Sequence, residues 1–139
     1  MPASLALGPV SIAVYGRLNV AGLTALVSTR IYDGVPQGVA FPFVFYELQE
    51  RDLRGFGTGG LPEVRLRVHA YSTYEGSSEA EAIIAAAIGL LKDQSLTVTG
   101  YAHCGQVFYD ETVLLADEAI NGVACRELVA SFRIYVEAT

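Results

Sequence analysis

Polar and apolar residues alternate most regularly between residues 62 and 72. Val64, Leu66, Val68 and Ala70 fall on one side, and Arg65, Arg67, His69 and Tyr71 on the other. A period of two over this length predicts a half-buried antiparallel strand. The same period runs through residues 123–138. There Leu128, Ala130, Phe132, Ile134 and Val136 oppose Glu127, Val129, Ser131, Arg133, Tyr135 and Glu137. At ~3.4 Å per residue that strand spans on the order of 50 Å, so part of it is expected to project or to pair with a neighbour. The run FPFVFYELQ at residues 41–49 is aromatic and β-branched and predicts a third strand, with Pro42 at its start or on an edge. Residues 95–99 predict a short strand and residues 106–115 a longer one, with residues 117–122 turning into the last strand.

The period changes to helical over residues 79–92. Ala80, Ile83, Ile84, Ala87, Ile88 and Leu91 form one stripe. Ser78 and Glu81 have capping-box spacing, and Glu79, Glu81 and Lys92 suit the helix dipole. A first helix is predicted from Pro9, with Ile12, Tyr15 and Leu18 at helical spacing. Asn19 is expected to cap a second, at residues 20–27, with Leu23, Leu26 and Val27 on one side. Asp33-Gly34 and residues 36–38 carry turn chemistry. Residues 50–60 are charged and then glycine-rich, and predict a long hairpin connection with a mobile tip. The elements specify one α+β domain over residues 1–139, an antiparallel sheet with helices on one face.

Composition narrows the function more than it names it. The chain has 139 residues, 52% of them hydrophobic, enough for a genuine core. No apolar run reaches the ~18 residues of a membrane span. The net charge is −6, which disfavours tight non-specific binding to nucleic acid. Cys104 and Cys125 are too few for a disulfide framework and are expected to be free thiols. No basic region precedes the first apolar residues, so synthesis and retention in a cytoplasm are expected.

Candidate chemistry is sparse. His69, His103, Cys104 and Cys125 have no zinc-type spacing. Cys104 lacks the surroundings of an activated nucleophile. Residues 55–60 mimic a phosphate loop but lead into a strand rather than a helix. Asp110-Glu111 and Asp117-Glu118 are adjacent in sequence and are expected to point apart as solvated acids. Arg65 and Arg67 project together and are expected to pair with Glu127 or Glu137, across strands or across a subunit boundary. A small enzyme or an oligomeric ligand-binding module with a cleft around His69 is the competing function.

The segment RIYDGVPQGVAFPFV, Arg30 to Val44, is more specific. It combines Arg30-Ile31-Tyr32-Asp33, the Pro36-Gln37-Gly38 turn and the Phe41-Pro42-Phe43-Val44 strand opening. With the helices before it and the strand, Glu/Ala-rich helix and terminal strands after it, the chain resembles the tail-completion, or tail-terminator, family of long-tailed bacteriophages and related prophage particles. The resemblance covers nearly the whole chain, and its motifs are structural rather than catalytic. The glycine-rich residues 55–60 and the position of Pro9 depart from it. It implies a virion protein made in the host bacterial cytoplasm, with no catalytic, cofactor or metal site. It also implies a hexameric ring that caps the tail tube, ends its polymerisation and meets the head-completion protein, while DNA passes through the lumen without tight binding. Arg51, Asp52, Arg54, Arg65, Arg67, Glu127 and Glu137 are the candidate partner-interface residues.

Overall fold

A computed structural model describes residues 5–34, 38, 40–52, 62–73, 77–103, 105–115, 118–120 and 123–138. Among the described residues three helices, α1 (Leu7–Leu18), α2 (Ala21–Val27) and α3 (Ser78–Leu91), accompany seven strands. The strands are β1 (Ile31–Tyr32), β2 (Phe43–Asp52), β3 (Pro62–Ser72), β4 (Tyr101–His103), β5 (Phe108–Leu114), β6 (Glu118–Ile120) and β7 (Val123–Ala138). All seven belong to one sheet. The order β1-β2-β3-β7 forms its body, and β4, β5 and β6 each pair with a different segment of β7. The α+β class is as expected, but the sheet is mixed. β1 runs parallel to β2, with Ile31 opposite Val44 and Tyr32 opposite Phe45.

The alternation in β3 and β7 sets the two faces. Val64 lies opposite Ile134, Leu66 opposite Phe132 and Val68 opposite Ala130. These residues are buried beneath the helices. α3 supplies Ala80, Ile83, Ile84, Ala87 and Leu91 to the same core. The long β7 has its length accounted for within the chain, because three short strands and β3 all hydrogen-bond to it.

Several local expectations change. The buried stripe of α1 is Val10, Val14 and Leu18, an i, i+4, i+8 set, whereas Ile12 and Tyr15 are exposed. Packing against the sheet selects between two stripes that helical spacing alone leaves equivalent. In α2, Leu23 and Val27 are buried and Leu26 faces out. Val20 rather than Asn19 is the N-cap of α2, and Asn19 closes α1. The Ser78–Glu81 capping box does not form. Ser77 is the N-cap and has no side-chain cap bond, while Glu79 accepts a hydrogen bond from Ser72 Oγ at 2.6 Å, tying α3 to the end of β3.

The expected strand at residues 95–99 reduces to one bridge between Val98 and Tyr101, and the true short strand is β4. Gly100, at φ +82°, makes that tight reversal, a conformation side chains other than glycine resist. Residues 118–120, expected within a turn, form β6 against Val123–Cys125.

Residues 50–52 were expected in the hairpin connection, yet they continue β2. Glu50 Oε1 accepts the backbone N–H of Ala6 at 2.7 Å. Ala6 is the N-cap of α1 and has no side-chain cap of its own, so a carboxylate from the sheet serves the positive end of that helix. At the other end, Arg17 donates to the carbonyl of Leu90 and to Gln94 Oε1, both at 2.7 Å, locking α1 to the last turn of α3. The rest of the expected connection, residues 53–60, lies outside the described residues.

Candidate functional site

The face of the sheet away from the helices is built from the odd-numbered positions of β2, β3 and the facing residues of β7. At one end it is aromatic. Phe43 stacks on Tyr71 with ring centres 5.0 Å apart, and Phe45 stacks on His69 at 4.1 Å. Phe43, Phe45, Tyr71 and Cys125 form a separate buried cluster. Cys125 is a buried thiol outside any disulfide, as expected.

The rest of this face is ionic, and the cross-strand register dictates the partners. Glu47 lies opposite Arg67, and their side chains meet at 3.4 Å. Arg51 lies opposite Glu63, whose Oε1 is 3.2 Å from Arg51 Nε and 3.1 Å from Arg65 Nε. Burial of Glu63 favours the neutral acid. Hydrogen bonds from Arg65 and Tyr135 and the charges of Arg51 and Arg65 outweigh it, holding the carboxyl below its ordinary value. His69 has both ring nitrogens engaged, with Glu127 Oε2 2.5 Å from Nδ1 and Glu47 Oε1 3.3 Å from Nε2.

The expected pairing of Arg65 and Arg67 with Glu127 and Glu137 is therefore not made within the chain. Arg65 stands opposite Arg133, Arg67 opposite Ser131, and Glu127 opposite Tyr71. Glu137 lies beyond the β3 ladder, opposite Ala102. Register separates the groups, and Glu63 and Glu47 take the two arginines instead. Arg51, Arg65 and Arg67 remain about half exposed. Glu127 is 2% exposed, and Glu137 is half-buried. Asp52 ends β2 opposite Pro62. Arg54, the glycine run 55–60 and Cys104 lie outside the described residues.

The acidic pair Asp110-Glu111 also departs from expectation. The β5–β7 register shifts between Tyr109 and Glu111, a bulge that leaves Asp110 as the additional residue. Asp110 then reaches Arg133 Nε through both oxygens, at 2.8 and 3.1 Å, and raises the guanidinium pKa further with help from Tyr135. Asp110 and Glu111 line one small polar cavity of about 140 Å³ together with Arg65, Arg67 and Ser131. The sequence held a signal for Glu47 and Glu63, because both share strand parity with the arginines. It held none for the bulge.

His69 is packed, not presented in a cleft. Its side chain is 12% exposed, with Phe45 against one ring face. Among the described residues no group of three or more His, Cys, Asp or Glu side chains is arranged to hold a metal ion. The larger concavities lie on the opposite side of the sheet. One of about 590 Å³ is lined by Ser11, Ile12, Tyr15, Ile31, Tyr32 and Tyr46, and a second of about 470 Å³ adjoins it. Tyr46 donates to the Ser11 carbonyl at 3.3 Å across this groove. Burial raises the pKa of Tyr46, against a hydrogen bond from Ser11 that lowers it.

The fold is that of an α+β subunit whose open sheet face carries ion pairs between and along its strands. Residues 12–137 match the family Tail completion protein gp17, and the chain belongs to that family. It is a structural protein of the virion tail. Among solved structures, it is similar to a chain of the virion of a native gene transfer agent (GTA) particle. The two are 24% identical, with a TM-score of 0.76, over 98% of this chain and 100% of that one. That likeness shows a shared fold. The comparison with curated protein sequences gave no significant match.

Proposed function

We propose that this chain forms a closed ring, hexameric by family resemblance, at the end of the tail tube. The ring stops tube polymerisation and presents a face to the head-completion proteins, and the chain catalyses no reaction. The observation that carries this reading is the family match over residues 12–137, nearly the whole chain. Residues 1–139 act as one domain in this reading.

Charge supports the passage of DNA. At −6 per subunit, a ring accumulates negative charge several-fold, and a negative lumen repels phosphate and lets DNA slide. The half-exposed Arg51, Arg65, Arg67 and Glu137, together with Asp52 and Arg54, are proposed as contacts to a neighbouring subunit or a stacked ring. The competing enzyme or ligand-binding reading needs an open site around His69, and the packing of that side chain against Phe45, Glu47 and Glu127 disfavours it. Native mass spectrometry of the full chain, alone and recovered from tails, tests the proposal. A ring-sized homo-oligomer supports it, and a monomer in both settings refutes it.

A further inference from the structure

A ring needs two different surfaces on each subunit, one that meets the other on the next copy. The sheet supplies a pair at its opposite margins. At one margin, β5 hydrogen-bonds only to β7 among the described residues. Leu115 N–H donates to Glu127 O, so residues 111, 113 and 115 point their backbone groups at β7. Thr112 and Leu114 then direct their N–H and C=O groups to the free edge. Natural edges are usually protected by charge, proline or a bulge. The bulge and acids of β5 protect its first half only. The stretch Thr112–Val113–Leu114–Leu115 is uncharged, and Val113, Leu114 and Leu115 are exposed, Leu114 to 54%.

At the other margin lies β1, two residues long, beside the groove of about 590 Å³ between α1 and β1–β2. Ile12 stands over this groove at 76% exposure, and Tyr15 is also exposed. In a chain of net charge −6, uncharged patches let copies meet without adding to their mutual repulsion. These two patches are uncharged apart from Asp33 at the rim of the groove.

We propose that the free edge of β5 in one subunit adds antiparallel to β1 of the next, seating Leu114 in the groove between α1 and β1. Strand direction agrees. β1 is parallel to β2, and β2, β3, β7 and β5 are successively antiparallel, so β5 runs opposite to β1. A neighbour rotated about an axis along the strands keeps those directions and continues the sheet. Side-chain parity agrees as well. Leu114 pairs with core-facing Leu128, and Ile31 pairs with core-facing Val44, so both face the helix layer. A stable interface covers ~800 Å² per partner. One strand edge alone falls short of that, so the contact extends over the groove and the exposed face of α1 beside it. The inference rests on the ring reading and names its interface.

The test uses two full-length variants, each blocking one margin. Leu114→Pro removes an outward N–H without touching the β7 ladder, and Ile12→Glu places a charge in the groove at an exposed site. At concentrations where the wild-type chain forms rings, alone or on tail tubes, each variant is expected to be monomeric by sedimentation. A one-to-one mixture is expected to form dimers and stop, since only one intact interface remains. Leu114→Lys, which keeps the backbone, gives the same readout if the proline variant fails to fold. Rings from both variants, or from either one alone, overturn the interface and leave the ring reading standing. Absence of wild-type rings in both settings overturns the ring reading, and the interface with it.

Discussion

His69 Nδ1 lies 2.5 Å from Glu127 Oε2, a contact between diagonal neighbours across the β3–β7 ladder that buries a carboxylate on the open face of the sheet. Phe45 stacks on the same imidazole from β2, so three strands are tied at one point. Removing one partner leaves the other buried and short of a hydrogen bond. Glu127→Ala is therefore expected to cost about 1–3 kcal/mol in urea denaturation of the full chain. A change within error would show that His69 and Glu127 do not support each other.

Glu63 gives the fold an acid-sensitive point. Its carboxyl is held below the ordinary 4.5 by Arg65, Tyr135 and Arg51, against burial, which raises it. A depressed carboxyl contributes stability that is fully present above 4.5 and is lost as pH falls through the lower value of the folded state. The melting temperature of Glu63→Gln is expected to fall less steeply below that pH than the wild-type value. Identical slopes would contradict the assignment.

The corrected stripe of α1 predicts a contrast two residues apart. Val14→Ala opens a cavity in the core and is expected to cost roughly 1–3 kcal/mol, whereas Ile12→Ala on the exposed side is expected to stay within about 0.5 kcal/mol for the monomer. Denaturant midpoints measured under monomeric conditions check both. Ile84→Ala on α3, beneath the sheet, is expected to cost about 2–5 kcal/mol.

β3 and β7 were legible in the sequence to the residue, because each carries an unbroken apolar series on its helix-facing side, Val64 to Ala70 and Leu128 to Val136, and the period of two has no competitor over 11 and 16 residues. α1 was legible as a helix but not in its facing, since Val10/Val14 and Ile12/Tyr15 both satisfy helical spacing until Tyr46 and Glu50 of β2 fix one side. β1 carries no period at two residues and exists only because β2 offers an edge. The ionic face was half legible. Strand parity put Arg65 and Arg67 together, but their partners depend on register, which brought Glu47 and Glu63 rather than Glu127 and Glu137. The bulge at Asp110 has no local signature, so two acids expected to diverge line one cavity.

Arg67 and Glu47 form an exposed pair, and such pairs contribute about 0–1 kcal/mol. Arg67→Ala is thus expected to leave the melting temperature of the subunit nearly unchanged. If Arg65 and Arg67 contact a neighbouring subunit or ring, the double reversal Arg65→Glu with Arg67→Glu weakens assembly far more than folding. Native mass spectra beside thermal melts separate the two effects. Equal losses in both would remove these arginines from the interface.

The central claim is that this chain finishes the tail. Electron microscopy of particles from cells carrying a deletion of its gene tests that claim most directly. Tail tubes of abnormal length, unjoined to filled heads, are predicted. Full-length tails joined to filled heads in the deletion strain would contradict it.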